Sequence, residues 1–301
     1  MTRPWQSEID VTSEIARQLV RSQFPAIPAS DVRLLGSGWD NAAFLFDRSI
    51  VFRFPRKASA VPLLETEARV LPVLSRALPV RVPVPKWFGT PSEGYPWPFL
   101  GYRVIPGKLV SSLRLRRAAR VEIAPALGSF LAVLHTVPPE QLALPPDLLD
   151  RRNFAARLPL IVERLDAIRT RGLIPSPDPW LRLFHELEHT ARTTIDVVVH
   201  GDLYARHLLI DEAAHLSGVI DWGDVHAGDS AMDLMLLYGF LPAAARPSFE
   251  AEYGEVADDV HRTARLRAAF HAVSVTWYGV ETEDNDLLHE GRMALDFVLE
   301  D

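Results

Sequence analysis

Apolar residues recur with a two-residue period over much of the first hundred positions and with helical spacing afterwards. Ile15, Leu19 and Val20 fall on one face of a helix that Thr12 or Ser13 caps, that runs to about Phe24, and that Pro25 and Pro28 end. Val32 to Leu35 reads as a strand, Gly36-Ser37-Gly38-Trp39-Asp40-Asn41 as a connection, and Ala42 to Phe46 as a second strand. After a turn at Asp47-Arg48-Ser49, Ile50 to Phe54 alternates as a third strand. Its Ile50, Phe52 and Phe54 share one face, and Val51 and Arg53 the other. A helix around Leu63 to Leu71 carries Glu65 and Glu67, and Pro72 should kink or interrupt it. Short strands are predicted near Lys86 to Gly89 and Phe99 to Ile105.

Pro106-Gly107 then breaks the pattern, which places one lobe over residues 1–105 and a second over 106–301. In the second, Glu122 to Val137 is predicted helical from the spacing of Ile123, Leu127, Phe130, Leu131 and Leu134, with His135 as a structurally bonded residue at its end. Short apolar runs at Val197–Val199, Leu208–Ile210 and Val219–Ile220 follow, and the rest of the chain reads as helix. Strands first and helices afterwards define an α+β class in two lobes.

Composition narrows the function classes. With 301 residues and 48% hydrophobic content the chain can bury a large core. A formal charge of -7 argues against a nucleic-acid partner. The basic cluster Arg114, Arg116, Arg117 and Arg120 reads as a solvated loop and helix start. The absence of cysteine excludes disulfides and thiolate metal sites and suits a reducing cytosol. Glu8 and Asp10 in a short, non-apolar N-terminal stretch argue against a signal peptide, and no window approaches a membrane span. The expectation is a cytoplasmic monomer without membrane contact.

The candidate chemistry lies in Val199-His200-Gly201-Asp202-Leu203-Tyr204-Ala205-Arg206-His207, followed fourteen residues later by Asp221. Asp202 occupies a loop after an apolar strand, and Asp221 closes a hairpin that turns at Asp211-Glu212. Kinase-like phosphotransferases arrange two carboxylates in this way. The first accepts the proton of the attacking hydroxyl, and the second holds magnesium on the phosphates. Asp202 needs no unusual pKa for that task, since phosphoryl transfer rests on positioning and charge neutralisation. His200 reads as a support for the loop backbone. Asp221 offers hard oxygen ligands to magnesium, and a neutral His207 imidazole can ligate the metal or bond one of its waters.

Gly36-Ser37-Gly38 can fold over phosphates because glycine lets backbone N–H groups approach, although the same residues fit an ordinary hairpin turn. Arg53 on the third strand is the candidate phosphate-binding cation. Glu67 is its preferred partner, with Glu65 in competition and a surface ion pair as the alternative.

These motifs resemble the aminoglycoside and macrolide phosphotransferases, antibiotic kinases of protein-kinase-like fold. Gly36-Ser37-Gly38-Trp39-Asp40-Asn41, Val51-Phe52-Arg53-Phe54-Pro55-Arg56 and Glu67-Ala68-Arg69-Val70-Leu71 resemble the family's N-terminal pattern. Val199–Tyr204 and Gly218-Val219-Ile220-Asp221-Trp222 resemble its catalytic and metal motifs. The resemblance implies a bilobal kinase-like fold, Mg2+, and ATP or GTP as donor, with Arg103 and Ile105 offering backbone groups to the purine. Arg53 and His207 depart from the commonest pattern and resemble the macrolide branch, and His207 also resembles some aminoglycoside enzymes.

For the acceptor, a polycationic aminoglycoside calls for carboxylates, and Glu281 to Asp301 contains eight acidic residues against the single basic Arg292. The same run also fits a solvated helix face. A macrolide calls for an apolar cleft, for which Phe270, Trp277 and Tyr278 are candidates or else core. Glu281, Trp277 and Tyr278 are therefore the acceptor candidates. A kinase of homoserine, choline or a sugar would use the same Asp202 and Asp221. A nucleotide-binding pseudokinase is disfavoured because both aspartates are intact.

Overall fold

The computed structural model describes residues 7–187 and 196–300. The first six residues of the N-terminal stretch and the final acid of the C-terminal run lie outside the described residues. The chain divides into two compact units, Met1–Ala77 with Arg81–Pro106, and Leu78–Val80 with Gly107–Asp301.

The first unit contains α1 (Ser13–Gln23), β1 (Val32–Ser37), β2 (Asn41–Phe46), β3 (Ile50–Pro55), α2 (Val61–Leu74), β4 (Trp87–Gly89) and β5 (Phe99–Arg103). Thr12 caps α1, its hydroxyl accepting from the Ile15 N–H. The strands form an antiparallel sheet in the order β1-β2-β3-β5-β4. Phe44, Phe46, Phe52, Phe54, Tyr95 and Phe99 pack together on one side of it, with Phe54 and Phe99 stacked at 4.8 Å. Glycine is required at 89 and 101, where a Cβ would lie 2.2 Å from the Phe99 ring and 2.4 Å from the Phe52 ring. Every residue of β3 is buried.

Several boundaries differ from the sequence expectation. The first strand runs on through Ser37, the last stops at Arg103, and α2 begins at Val61 and continues through Pro72 to Leu74. Pro72 lies in the last turn and removes one backbone donor. Burial of Val70, Leu71 and Leu74 outweighs that loss, each full burial contributing about 1.5–3 kcal/mol.

The second unit runs β6 (Lys108–Leu109), α3 (Val110–Leu113), α4 (Arg117–Thr136), α5 (Phe154–Thr170), α6 (Asp178–Leu187), β7 (Val197–Val199), β8 (Leu208–Ile210), β9 (Leu216–Val219) and β10 (His226–Gly228). It ends with α7 (Ala231–Leu234), α8 (Leu236–Gly239), α9 (Arg246–Tyr253), α10 (Asp258–Glu281) and α11 (Asn285–Val298). β8 and β9 form the expected hairpin, and β6 joins its outer edge. β7 pairs with β10 instead, Val199 opposite His226, so the runs flanking Asp202 belong to different sheets.

The sequence reading missed α5 and α6, although Asn153 caps α5 by accepting from the Ala156 N–H. It also started α4 too late, at Glu122, and treated Arg120 as solvated. Arg120 is fully buried, bonded to both oxygens of Glu290 at 2.7 and 2.9 Å and stacked 4.6 Å over Phe240. Arg117 and Arg114 pair with Glu300 and Asp286, leaving Arg116 as the exposed member without such a role among the described residues. By length and composition alone α4 is apolar enough to cross a membrane, but it packs against α9 and β7 within this unit.

Candidate active site

The loop after β7 is held from below by Asp233. This fully buried carboxylate accepts hydrogen bonds from the His200 N–H at 2.7 Å and the Gly201 N–H at 2.9 Å, and His135 Nε2 approaches at 3.4 Å. Burial pushes its pKa up, but the His135 contact and the backbone donors reverse the sign and hold it below the ordinary range. His135 is fixed in turn by the Tyr253 hydroxyl at 2.8 Å. Gly201 has φ +83°, and a Cβ there would lie 2.4 Å from the Asp224 carbonyl oxygen.

His200 is buried, and burial pulls its pKa down to about 4. In the neutral tautomer these contacts require, Nε2–H donates to the Ile220 carbonyl at 3.0 Å and Nδ1 accepts from the Asp202 N–H at 3.3 Å. One ring thus ties the Asp202 loop to the end of the hairpin that presents Asp221. Trp222 closes the underside, 4.7 Å from His200, with its indole N–H on the Val219 carbonyl.

Asp202, His207 and Asp221 come together above this frame. His207 Nδ1–H donates to the Asp202 carbonyl at 2.7 Å, and Nε2 lies 3.2 Å from Asp221 Oδ2. The Asp202 carboxylate is 3.8 Å from the same ring. Burial lowers the imidazole pKa, but Asp221 and Asp202 outweigh it and raise it to about 9, so His207 is an imidazolium at neutral pH. Asp202 moves the other way, to about 6, chiefly by burial and with help from Asp224 and Asp221 against His207 and Arg267. Asp221 sits at φ +65°, a left-handed conformation that aspartate tolerates better than most residues.

Among the described residues no group of three or more His, Asp or Glu side chains forms a ready metal cage. Magnesium does not need one, because it keeps waters and binds through one or two carboxylates plus substrate phosphates. The half-exposed Asp221 carboxylate suits that mode, while the two His207 nitrogens face the Asp202 carbonyl and the Asp221 carboxylate.

In the first unit, Arg53 and Glu67 are buried together, with Nη1 at 2.8 and 2.6 Å from the two carboxylate oxygens. Glu65 faces solvent. Gly36 and Ser37 end β1 beyond a register shift, and the Gly38 N–H donates to the Asn41 carbonyl at 2.9 Å. Neither Gly36 nor Gly38 has a positive φ or a crowded Cβ direction, so an open backbone approach is what they offer. Arg103 pairs with Ile50 at the end of β5, and Ile105 is buried two residues later. Glu67→Gln should loosen Arg53. If the cation holds phosphates, misplacing it should lower turnover by roughly 10²-fold, read as kcat/KM for the nucleotide.

The acceptor candidates lie near the end of α10. Arg164 stacks on Trp277 at 4.5 Å, and Glu281 pairs with Arg171 at 2.9 Å. Much of the C-terminal acid is engaged: Asp284 caps α11 and meets Arg206, while Asp286, Glu290 and Glu300 pair with Arg114, Arg120 and Arg117. Sequence reasoning missed Asp233, whose signal was its place just after β10, and Arg267, which periodicity marks only as a polar residue on a long helix.

Residues 31–271 match the profile of the phosphotransferase enzyme (APH) family, and the chain belongs to that family. Solved structures agree. The GDP and kanamycin complex of APH(2")-IIia is 27% identical, with TM-score 0.69, over 93% of this chain and 97% of that one. The GDP complex of aminoglycoside 2'-phosphotransferase-IIIa is 26% identical, with TM-score 0.70, over 96% and 99%. A macrolide 2'-phosphotransferase type I shares the fold at 23% identity and TM-score 0.62, over 95% and 98%. The antiparallel-sheet unit and the helical unit are those of the kinase-like fold expected from the sequence.

Proposed function

We propose that this chain transfers the γ-phosphoryl group of ATP or GTP to a hydroxyl of a small-molecule acceptor. The observation that carries the reading is the convergence of Asp202, His207 and Asp221 on a loop braced by Asp233. In this reading Asp202 orients the acceptor hydroxyl and takes its proton, and Arg53, steadied by Glu67, neutralises phosphate charge. The Gly36-Ser37-Gly38 backbone covers the phosphates, and Arg103 and Ile105 meet the purine.

Asp221 would hold magnesium, which supplies charge neutralisation on the phosphates. His207 would join it as ligand or water partner only after giving up a proton. Asp221→Asn should weaken nucleotide binding selectively when magnesium is present. Calorimetry with and without the metal checks this, and an affinity unchanged by magnesium would remove the assignment. His207→Ala should have the smaller effect.

The kanamycin held by one neighbour supports an antibiotic kinase conferring resistance; action in the cytoplasm as a monomer belongs to the same proposal. Between the two antibiotic classes, internal pairing of the C-terminal acids favours a macrolide on Trp277 and Tyr278 over a polycation at Glu281. In a second reading, a small-metabolite kinase of homoserine-, choline- or sugar-kinase type, the arginines on α5 and α10 favour the carboxylate-bearing homoserine type over cationic choline or an uncharged sugar. The test is magnesium-dependent nucleotide turnover over hydroxylated antibiotics and metabolites. Turnover that no acceptor accelerates would count against transfer.

A further inference from the structure

Arg157 and Arg164 of α5 and Arg267 of α10 lie along the contact between the two helices, and among the described residues none of them touches a carboxylate. Arg267 is 6% exposed, and its Nε has no hydrogen-bond partner. Among the described residues its guanidinium makes no hydrogen bond or ion pair, although its charge is felt by Asp202. Among the described residues Arg157 bonds the Leu149 and Asp150 carbonyls alone, and Arg164 the Ser274 hydroxyl alone, at 2.6 Å. Both also bury an Nε without a partner.

These cations are spread over a short aromatic strip. Arg157 and Arg267 stand 5.2 and 5.5 Å from the Phe270 ring centre, and Arg164 stands over Trp277. His271, one helical turn from Arg267, presses on Tyr204 at 4.7 Å and also buries a nitrogen without a partner. Even against Asp202 and Asp224, whose charges act on Arg267, the three cations leave a surplus of positive charge and of unused donors in a chain of net charge -7. Buried charges are ordinarily paired, and a guanidinium fork matches carboxylate and phosphate oxygens. A polycation brought here would meet like charge; an anion would complete the donors.

We propose that this face of α5 and α10 receives an acceptor bearing an anionic group, a carboxylate or a phosphate, beside the hydroxyl presented to Asp202. The inference rests on the phosphotransfer reading for its hydroxyl, but the anion site stands on the arginines alone.

The test is calorimetric titration of the full chain, without nucleotide, with gluconate, glycerol 3-phosphate and kanamycin. Gluconate or glycerol 3-phosphate should bind at least tenfold more tightly than kanamycin, and which of them binds better separates carboxylate from phosphate. Arg267→Gln should reduce that preference at least tenfold, and Arg267→Lys should restore part of it. Arg164→Gln provides the same comparison should Arg267→Gln not fold. Kanamycin binding as tightly as both anions, or a preference unchanged in Arg267→Gln, overturns the inference. The second outcome would make Arg267 only a counter-charge for Asp202. Transfer assays on the same compounds are read separately. Anion binding without transfer to any acceptor of the wider panel leaves the anion site and removes the phosphotransfer reading, whereas transfer to kanamycin above both anions does the reverse.

Discussion

Asp202→Ala should lower phosphoryl transfer by roughly 10²–10⁴ while nucleotide binding persists, because a positioned base contributes about that factor. Burial raises the pKa of the Asp202 carboxyl to about 6. Below that pH it holds its own proton and cannot take one from an alcohol. The kcat/KM of the unmodified chain should therefore climb about tenfold per pH unit up to roughly pH 6 and then level off. The slope should vanish in Asp202→Ala. Near-normal turnover by that variant, or a flat profile in the parent, would remove Asp202 from the role of base.

The largest expected effect on stability is at Arg120. Removing one member of a buried ion pair leaves the other charge uncompensated, which typically costs about 3–5 kcal/mol. Arg120→Ala should lose that much in denaturant unfolding, since the guanidinium is bonded to both oxygens of Glu290 and to the Phe240 carbonyl. Arg120→Met with Glu290→Leu together should be close to neutral, because an apolar pair of similar volume avoids burying either charge. A double variant as unstable as the single would show that the pair itself, and not the orphaned charge, sets the stability.

The first unit was the more legible in the sequence. Thr12 and the alternation of Ile50, Phe52 and Phe54 are local signals, and each maps onto an element whose packing agrees with it. Pro72 misled because proline's cost is fixed locally, while the burial that outweighs it comes from residues distant in sequence. Arg120 misled for the same reason: its partner Glu290 is 170 positions away. Asp202, Asp221 and His207 could be read because they sit within twenty residues of one another on short turns. Asp233 and Arg267 act from helices whose approach no periodicity records. The pairing of β7 with β10 was likewise invisible, since Val197–Val199 looks the same whichever strand it joins.

The brace beneath the Asp202 loop also gives the molecule a spectroscopic signature independent of any substrate. Two successive amides, His200 and Gly201, donate to one buried, ionised carboxylate at 2.7 and 2.9 Å. Charge-assisted bonds of that length draw amide protons downfield, and burial keeps them from solvent until the loop opens. The pair should appear as isolated low-field resonances with slow hydrogen exchange. Their exchange rate would time the opening of the loop that carries Asp202, whatever acceptor the enzyme serves.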